Sequence, residues 1–133
     1  MTDNEIKNLI SEALIAKTFA YVPYSNFRVG AALYGKSGNI YRGCNIENAA
    51  YSPTNCAERT AFFKAISDGE KDFLAIAVTG GEHNKKGEYC PPCGVCRQVM
   101  VEFCDLDNFL VIFANSVDDY QIFTLKQILP YTF

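Results

Sequence analysis

The chain has 133 residues, 49% of them hydrophobic and 20% charged, with a net charge of −3. That length suits one domain, residues 1–133, able to bury a core without disulfides or other staples. The acidic balance, with no long basic run, argues against nucleic acid as a partner and leaves small neutral ligands open. No apolar run approaches the ~20 residues of a membrane span. Met1-Thr2-Asp3-Asn4-Glu5 is polar and acidic, unlike a signal peptide. A cytoplasmic protein is therefore expected. Its six cysteines then read as metal ligands or free thiols rather than disulfides.

Residues 2 to about 20 predict a helix. Thr2 and Glu5 fit a capping box, Ile6, Leu9, Ile10, Ala13 and Ala16 form one apolar stripe, and Pro23 stops it. Tyr24-Ser25-Asn26 is a turn that presents Phe27. Val29–Tyr34 and Asn39–Cys44 predict a hairpin, joined by Gly35-Lys36-Ser37-Gly38. Gly30-Ala31-Ala32 is small for a strand, so a helix should pack closely there. Asn45–Thr54 is a loop of polar and small residues, either solvated or placed for binding. Cys56 to about Asp68 predicts a helix capped by Thr54 or Asn55 and ended by Gly69. Phe73–Val78 is a strand buried on both faces.

Gly80–Tyr89 is a polar loop holding His83, the only histidine, which is read as exposed and given no role. Cys93 to about Cys104 predicts another helix, entered through Pro91-Pro92. Phe109–Phe113 and Tyr120–Phe123 are strands. A second capping box, Thr124 with Gln127, opens a last helix that Pro130 closes. Strand–helix–strand units imply parallel pairing, and the hairpin adds an antiparallel edge. The expected fold is α/β, a mixed sheet between helical layers.

Two stretches carry the chemistry: Asn55-Cys56-Ala57-Glu58-Arg59 and Pro92-Cys93-Gly94-Val95-Cys96-Arg97. Both cysteine groups fall at predicted helix N-termini, where partial positive charge favours thiolate, the form that binds zinc. Cys93 and Cys96 lie one helical turn apart, and the fold must bring in Cys56. Three protein ligands leave a fourth position open, the pattern of catalytic zinc. Three thiolates overcompensate the ion's charge, so Arg59 and Arg97 are candidate donors to the sulfurs. Three other readings compete, the simplest being that Arg59 is a surface residue. Cys90 extends the series to Cys90-x-x-Cys93-x-x-Cys96, which permits a closed four-cysteine structural site. Glu58 can equally be the capping-box partner of Asn55.

These segments resemble cytidine deaminase of the small homotetrameric type. Cys56-Ala57-Glu58-Arg59-Thr60-Ala61 and Pro92 to Val99 match its two zinc signatures. Asn45-Ile46-Glu47-Asn48-Ala49 matches its ribose-binding segment, and Pro23 to Phe27 with Val29 to Ala32 matches its early segment. The resemblance covers nearly the whole chain. It implies an α/β/α sandwich around a five-stranded mixed sheet. It implies one zinc ion on Cys56, Cys93 and Cys96, with Glu58 as the proton carrier of hydrolytic deamination. By the same resemblance, the Ala57 N–H meets the base O2, Asn45 and Glu47 bind ribose, and Phe27 stacks on the base. Ala49, Tyr51 and Phe133 reach a neighbouring subunit's pocket in a homotetramer. The implied reaction converts cytidine and 2′-deoxycytidine to uridine and 2′-deoxyuridine in pyrimidine salvage. Pro91 departs from the family's usual Ser or Thr but keeps the backbone carbonyl, and the Gly80–Tyr89 loop is longer than usual. A blasticidin S-type deaminase, a non-catalytic zinc module and a polynucleotide editor are the alternatives; the acidic balance disfavours the last.

Overall fold

The computed structural model describes residues 1–81 and 86–129. Helix α1 (Asp3–Lys17) opens on the expected capping box. The Thr2 amide donates to Glu5 Oε1 at 2.9 Å, and the Glu5 amide donates to Thr2 Oγ1 at 3.2 Å. The helix ends three residues short of the expected end and well before Pro23. Thr18 closes it by donating its hydroxyl to the Ile15 carbonyl at 2.7 Å.

Strands β1 (Val29–Gly35) and β2 (Ile40–Cys44) form the hairpin, with Gly30 opposite Cys44 and Tyr34 opposite Ile40. Two glycines let helices press onto it from opposite sides. A Cβ on Gly30 would lie 2.1 Å from the Ala13 carbonyl oxygen of α1. A Cβ on Gly43 would lie 2.2 Å from the carbonyl oxygen of Ala57, at the start of helix α2 (Ala57–Ser67). The close helix contact expected at Gly30 is there, and Gly43 supplies a second.

Strand β3 (Phe73–Gly80), helix α3 (Gly94–Phe103), strands β4 (Leu110–Ser116) and β5 (Asp119–Thr124) and the short helix α4 (Leu125–Ile128) complete the chain. The sheet order is β2-β1-β3-β4-β5. Only β3 and β4, joined through α3, are parallel neighbours; β1 separates β2 from β3, and the other pairs are antiparallel. The Thr124–Gln127 capping box is also present.

Alternation along the strands assigns the two faces. Ala31, Leu33, Ile76, Val78, Val111 and Phe113 pack under α2, α3 and α4. Ala32, Ala75, Ala77, Ile112 and Ala114 pack on α1. The result is a three-layer α/β/α sandwich around a five-stranded mixed sheet. The α2 layer is locked by Phe62, whose ring lies edge-on to Phe73 at a centroid distance of 5.3 Å. Helices α2 and α3 thus start on one face of the sheet. His83, Pro130 and Phe133 lie outside the described residues.

Candidate metal centre and its pocket

Cys56 is the N-cap residue of α2, Cys93 is the N-cap residue of α3, and Cys96 lies in the first turn of α3. The fold brings their Sγ atoms within 4.8 Å of one another. Cys56 and Cys93 are 3.6 Å apart, and Cys93 and Cys96 are 3.1 Å apart. Sulfurs held at about 2.3 Å around a tetrahedral zinc sit roughly 3.8 Å from each other, so this triangle fits such an ion with small adjustments.

The electrostatics ask for a cation. Hydrogen bonding with Cys96 lowers the Cys56 thiol pKa, and Arg59 adds to that effect. The same hydrogen bond and burial push the Cys96 thiol up. A bound cation would favour the thiolate form of all three sulfurs. Arg59 donates Nη2 to Cys56 Sγ at 3.3 Å. Among the described residues its buried Nε has no hydrogen-bond partner. All six cysteines are free thiols.

Glu58 sits in the first turn of α2 and is 4% exposed. Burial pushes its carboxyl up to about 7, and the negative charge of Cys56 adds to the rise. The capping reading fails here. Cys56, not Thr54 or Asn55, is the N-cap, and it makes no side-chain cap bond. Asn55 instead donates its amide to Thr60 Oγ1 at 3.1 Å.

Arg97 departs from expectation as well. Its Nε donates to the Pro92 carbonyl at 2.9 Å and its Nη1 to the Ile128 carbonyl at 2.6 Å, tying α3 to α4. The closed four-cysteine site is not formed. Cys90 is not part of the mutual cluster, lines the pocket beside it, and is pushed up by burial to about 11.

A cavity of about 140 Å³ borders the cluster, lined by Val29, Asn45, Ala57, Glu58, Cys90 and Pro91 with the sulfurs of Cys56 and Cys93. Asn45 already holds its rim, accepting from the Val29 amide at 2.9 Å and donating to the Phe27 carbonyl at 2.8 Å. Glu47 accepts from the amides of Tyr24 and Ser25 at 3.0 and 3.1 Å and from the Ser25 hydroxyl. That hydroxyl first, then the amides, lowers the Glu47 pKa. Asn26 adopts the left-handed conformation, φ 57°, which asparagine tolerates better than most residues. The turn it makes presents Phe27, 45% exposed, toward the Gly80 end of β3.

Ala49 and Tyr51 are not brought to this pocket. They line a separate cavity of about 390 Å³ with Tyr24, Ser25, Glu47 and Asn48, and Tyr51 is 95% exposed. Sequence reasoning missed Ser25 as the partner of Glu47, and missed Lys17, whose Nζ reaches the Gly81 carbonyl beside Gly80. Ser25 stands in the Pro23 to Phe27 segment but nothing there pairs it with Glu47, and Lys17 stands in no motif; only the fold brings them near.

Fold and site together define a class, the hydrolytic deaminases that work at a cysteine-held zinc. The model of the family described as "Cytidine and deoxycytidylate deaminase zinc-binding region" matches residues 3–112, and the chain belongs to that family. A cytidine deaminase of Sporosarcina psychrophila is 50% identical over 129 residues, 97% of this chain and 91% of that protein. One of Halalkalibacterium halodurans is 52% identical over 125 residues, 94% of this chain and 91% of that protein. The crystal structure of cytidine deaminase from Burkholderia pseudomallei has a TM-score of 0.86 at 43% identity, with both chains covered completely.

Proposed function

We propose that the chain is a single catalytic domain that deaminates cytidine and 2′-deoxycytidine to uridine and 2′-deoxyuridine in pyrimidine salvage, with release of ammonia. One observation carries the chemistry: a carboxyl only 4% exposed, Glu58, borders the same pocket as a triangle of three cysteine sulfurs. The relatives that share nearly its whole length are named cytidine deaminases, which supports the choice of base.

Cys56, Cys93 and Cys96 would hold one zinc ion. When bound, it supplies the Lewis acidity that makes water nucleophilic near neutral pH. Glu58 does the proton work. Its carboxylate takes a proton from the attacking water and delivers it to N3 of the base. It then carries the second water proton to the departing N4 amine. The new C4–O bond replaces the broken C4–N4 bond, and ammonia leaves. A carboxyl raised to about 7 both accepts and donates at neutral pH, as a relay must.

The remaining residues orient the nucleoside. Ala57 opens α2, so its N–H lies among the helix amides without an intrahelical partner and is suited to the base O2. Asn45 and Glu47 have hydrogen-bonding capacity beyond the loop bonds they make, and that capacity suits the ribose hydroxyls. Phe27 offers its ring to the base. Ala49, Tyr51 and Phe133 serve the pocket of a neighbouring copy in a homotetramer; the exposed Tyr51 ring supports this. Reduced metal thiolates suit the cytoplasm.

The test is loss of the cytidine absorbance band on adding purified protein. Cytidine and deoxycytidine should both turn over, and a chelator that strips zinc should stop the reaction. Deamination of single-stranded polynucleotide but not of nucleosides would contradict the reading.

A further inference from the structure

The segment that enters α3 carries Cys93 yet has little backbone means of holding its shape. Pro91 and Pro92 have no amide hydrogen to give to a ladder. Residues 88–93 have no regular structure. Side chains from the far end of the sheet hold this segment instead.

Tyr89 Oη donates to Asp119 Oδ1 at 2.7 Å. Asn115 Nδ2 donates to Asp119 Oδ2 at 3.0 Å and to the Glu88 carbonyl at 2.9 Å. Asp119 therefore gathers Tyr89 directly, and Asn115 adds Glu88. All of these bonds come from the tip of the β4–β5 hairpin. The tip is built to do this. The register slips between Ala114, opposite Tyr120, and Ser116, opposite Asp119, so Asn115 is an extra residue in the strand. Such a bulge re-aims a side chain out of the ladder. Meanwhile the Tyr89 ring packs on the core under α2 and α3, so its hydroxyl is fixed from both ends.

We propose that Asp119, with Asn115 and Tyr89, is a positioning cluster that clamps Glu88 and Tyr89 and thereby sets the approach of Cys93 to the metal. The role rests on the zinc reading above and adds residues outside the metal signatures. The cluster touches neither sulfur nor pocket. It acts by limiting how far the loop bearing Cys93 can swing away.

The experiment is zinc transfer from the loaded protein to a chromophoric chelator, followed as a rate, with circular dichroism and Tm alongside. Tyr89→Phe keeps the ring and removes one hydroxyl, and should speed zinc release by roughly tenfold, the scale of groups that orient metal ligands. Asn115→Ala should do the same. Asp119→Ala should exceed either, and adding Tyr89→Phe to it should change little, because the two act through one bond. Asp118→Ala is the control. Asp118 sits on the same turn with its side chain 83% exposed and pairs at 3.8 Å with Lys7 on α1, so release should stay at the wild-type rate. Wild-type release rates in folded Tyr89→Phe and Asn115→Ala would overturn the clamp. Equal acceleration by Asp118→Ala would overturn it too, by showing general loosening of the hairpin. A wild-type chain that retains no zinc would overturn the metal reading itself.

Discussion

At the scale of single residues, charge balance around sulfur decides how well the centre holds its ion. Arg59 is the cation that reaches a ligand sulfur, at 3.3 Å, and bonding to Cys56 keeps its guanidinium firmly protonated. Arg59→Ala should therefore release zinc ~10–100-fold more readily or lose activity by a similar factor. Chelator competition measures the first, and unchanged zinc affinity with an unchanged rate would return Arg59 to a structural role. Spacing marked Cys56, Cys93, Cys96 and Glu58 as candidates and left the four-cysteine and capping readings open; only the fold shows which three sulfurs converge. Arg97 was legible only as a candidate donor to the sulfurs. It stands closer in sequence to a candidate ligand than Arg59 does, but its partners are carbonyls, one of them 31 positions away. Asn45 lines the pocket beside the sulfurs and Glu47 the separate cavity, and their bonds to the Tyr24–Val29 turn were not legible, since a loop's internal bonds leave no periodic pattern.

Among the elements, the β1–β2 hairpin carries the tightest packing. Gly43 faces the first turn of α2, the turn that bears Glu58. Gly43→Val would force α2 off the sheet and should destabilise the fold by at least about 1–3 kcal/mol, with a parallel loss of zinc. Thermal melts and metal content check this, and an unchanged Tm would mean α2 is not seated as described. The hairpin turn also predicts a pH effect. Glu70 accepts from the Ser37 hydroxyl, from the Ser37 amide at 3.3 Å and from Tyr41 Oη at 3.2 Å. Ser37 first, and then Tyr41, lowers the Glu70 pKa. A lowered carboxyl pKa contributes stability that is present above the unfolded value, about 4.3, and is lost as pH falls through the lower folded value. The Tm gap between wild type and Glu70→Gln should be open at pH 7 and close as pH drops below about 4. A gap that widens in acid would contradict this account. Capping boxes announced α1 and α4 plainly. The start of α2 misled because a cysteine occupies its cap, and the β4–β5 bulge left no signal in composition.

The whole molecule raises the question of how many chains make one site. Exposed aromatic rings cluster along one stretch and its surroundings: Phe19 is 70% exposed, Tyr21 57%, Tyr24 63% and Tyr51 95%. Rings so exposed on one chain fit contacts with other copies. If Phe133 of one chain serves another chain's pocket, inactive Glu58→Gln chains reassembled with inactive chains lacking Phe133 should regain part of the activity. An active monomer on a sizing column would contradict shared sites. Layer order was legible at this scale from the alternation of helices and strands. The antiparallel pairing of β1 with β3 was not, because pairing between strands distant in sequence depends on tertiary contacts. The central claim is that Glu58, beside three cysteine sulfurs, moves the protons of cytidine deamination. The most direct measurement is the turnover of cytidine by zinc-loaded Glu58→Gln, with zinc content and fold verified on the same sample. The account predicts full zinc content and a rate lower by ~10²–10⁴, the usual contribution of a general acid–base group. A folded, zinc-loaded variant turning over cytidine at close to the wild-type rate would contradict it.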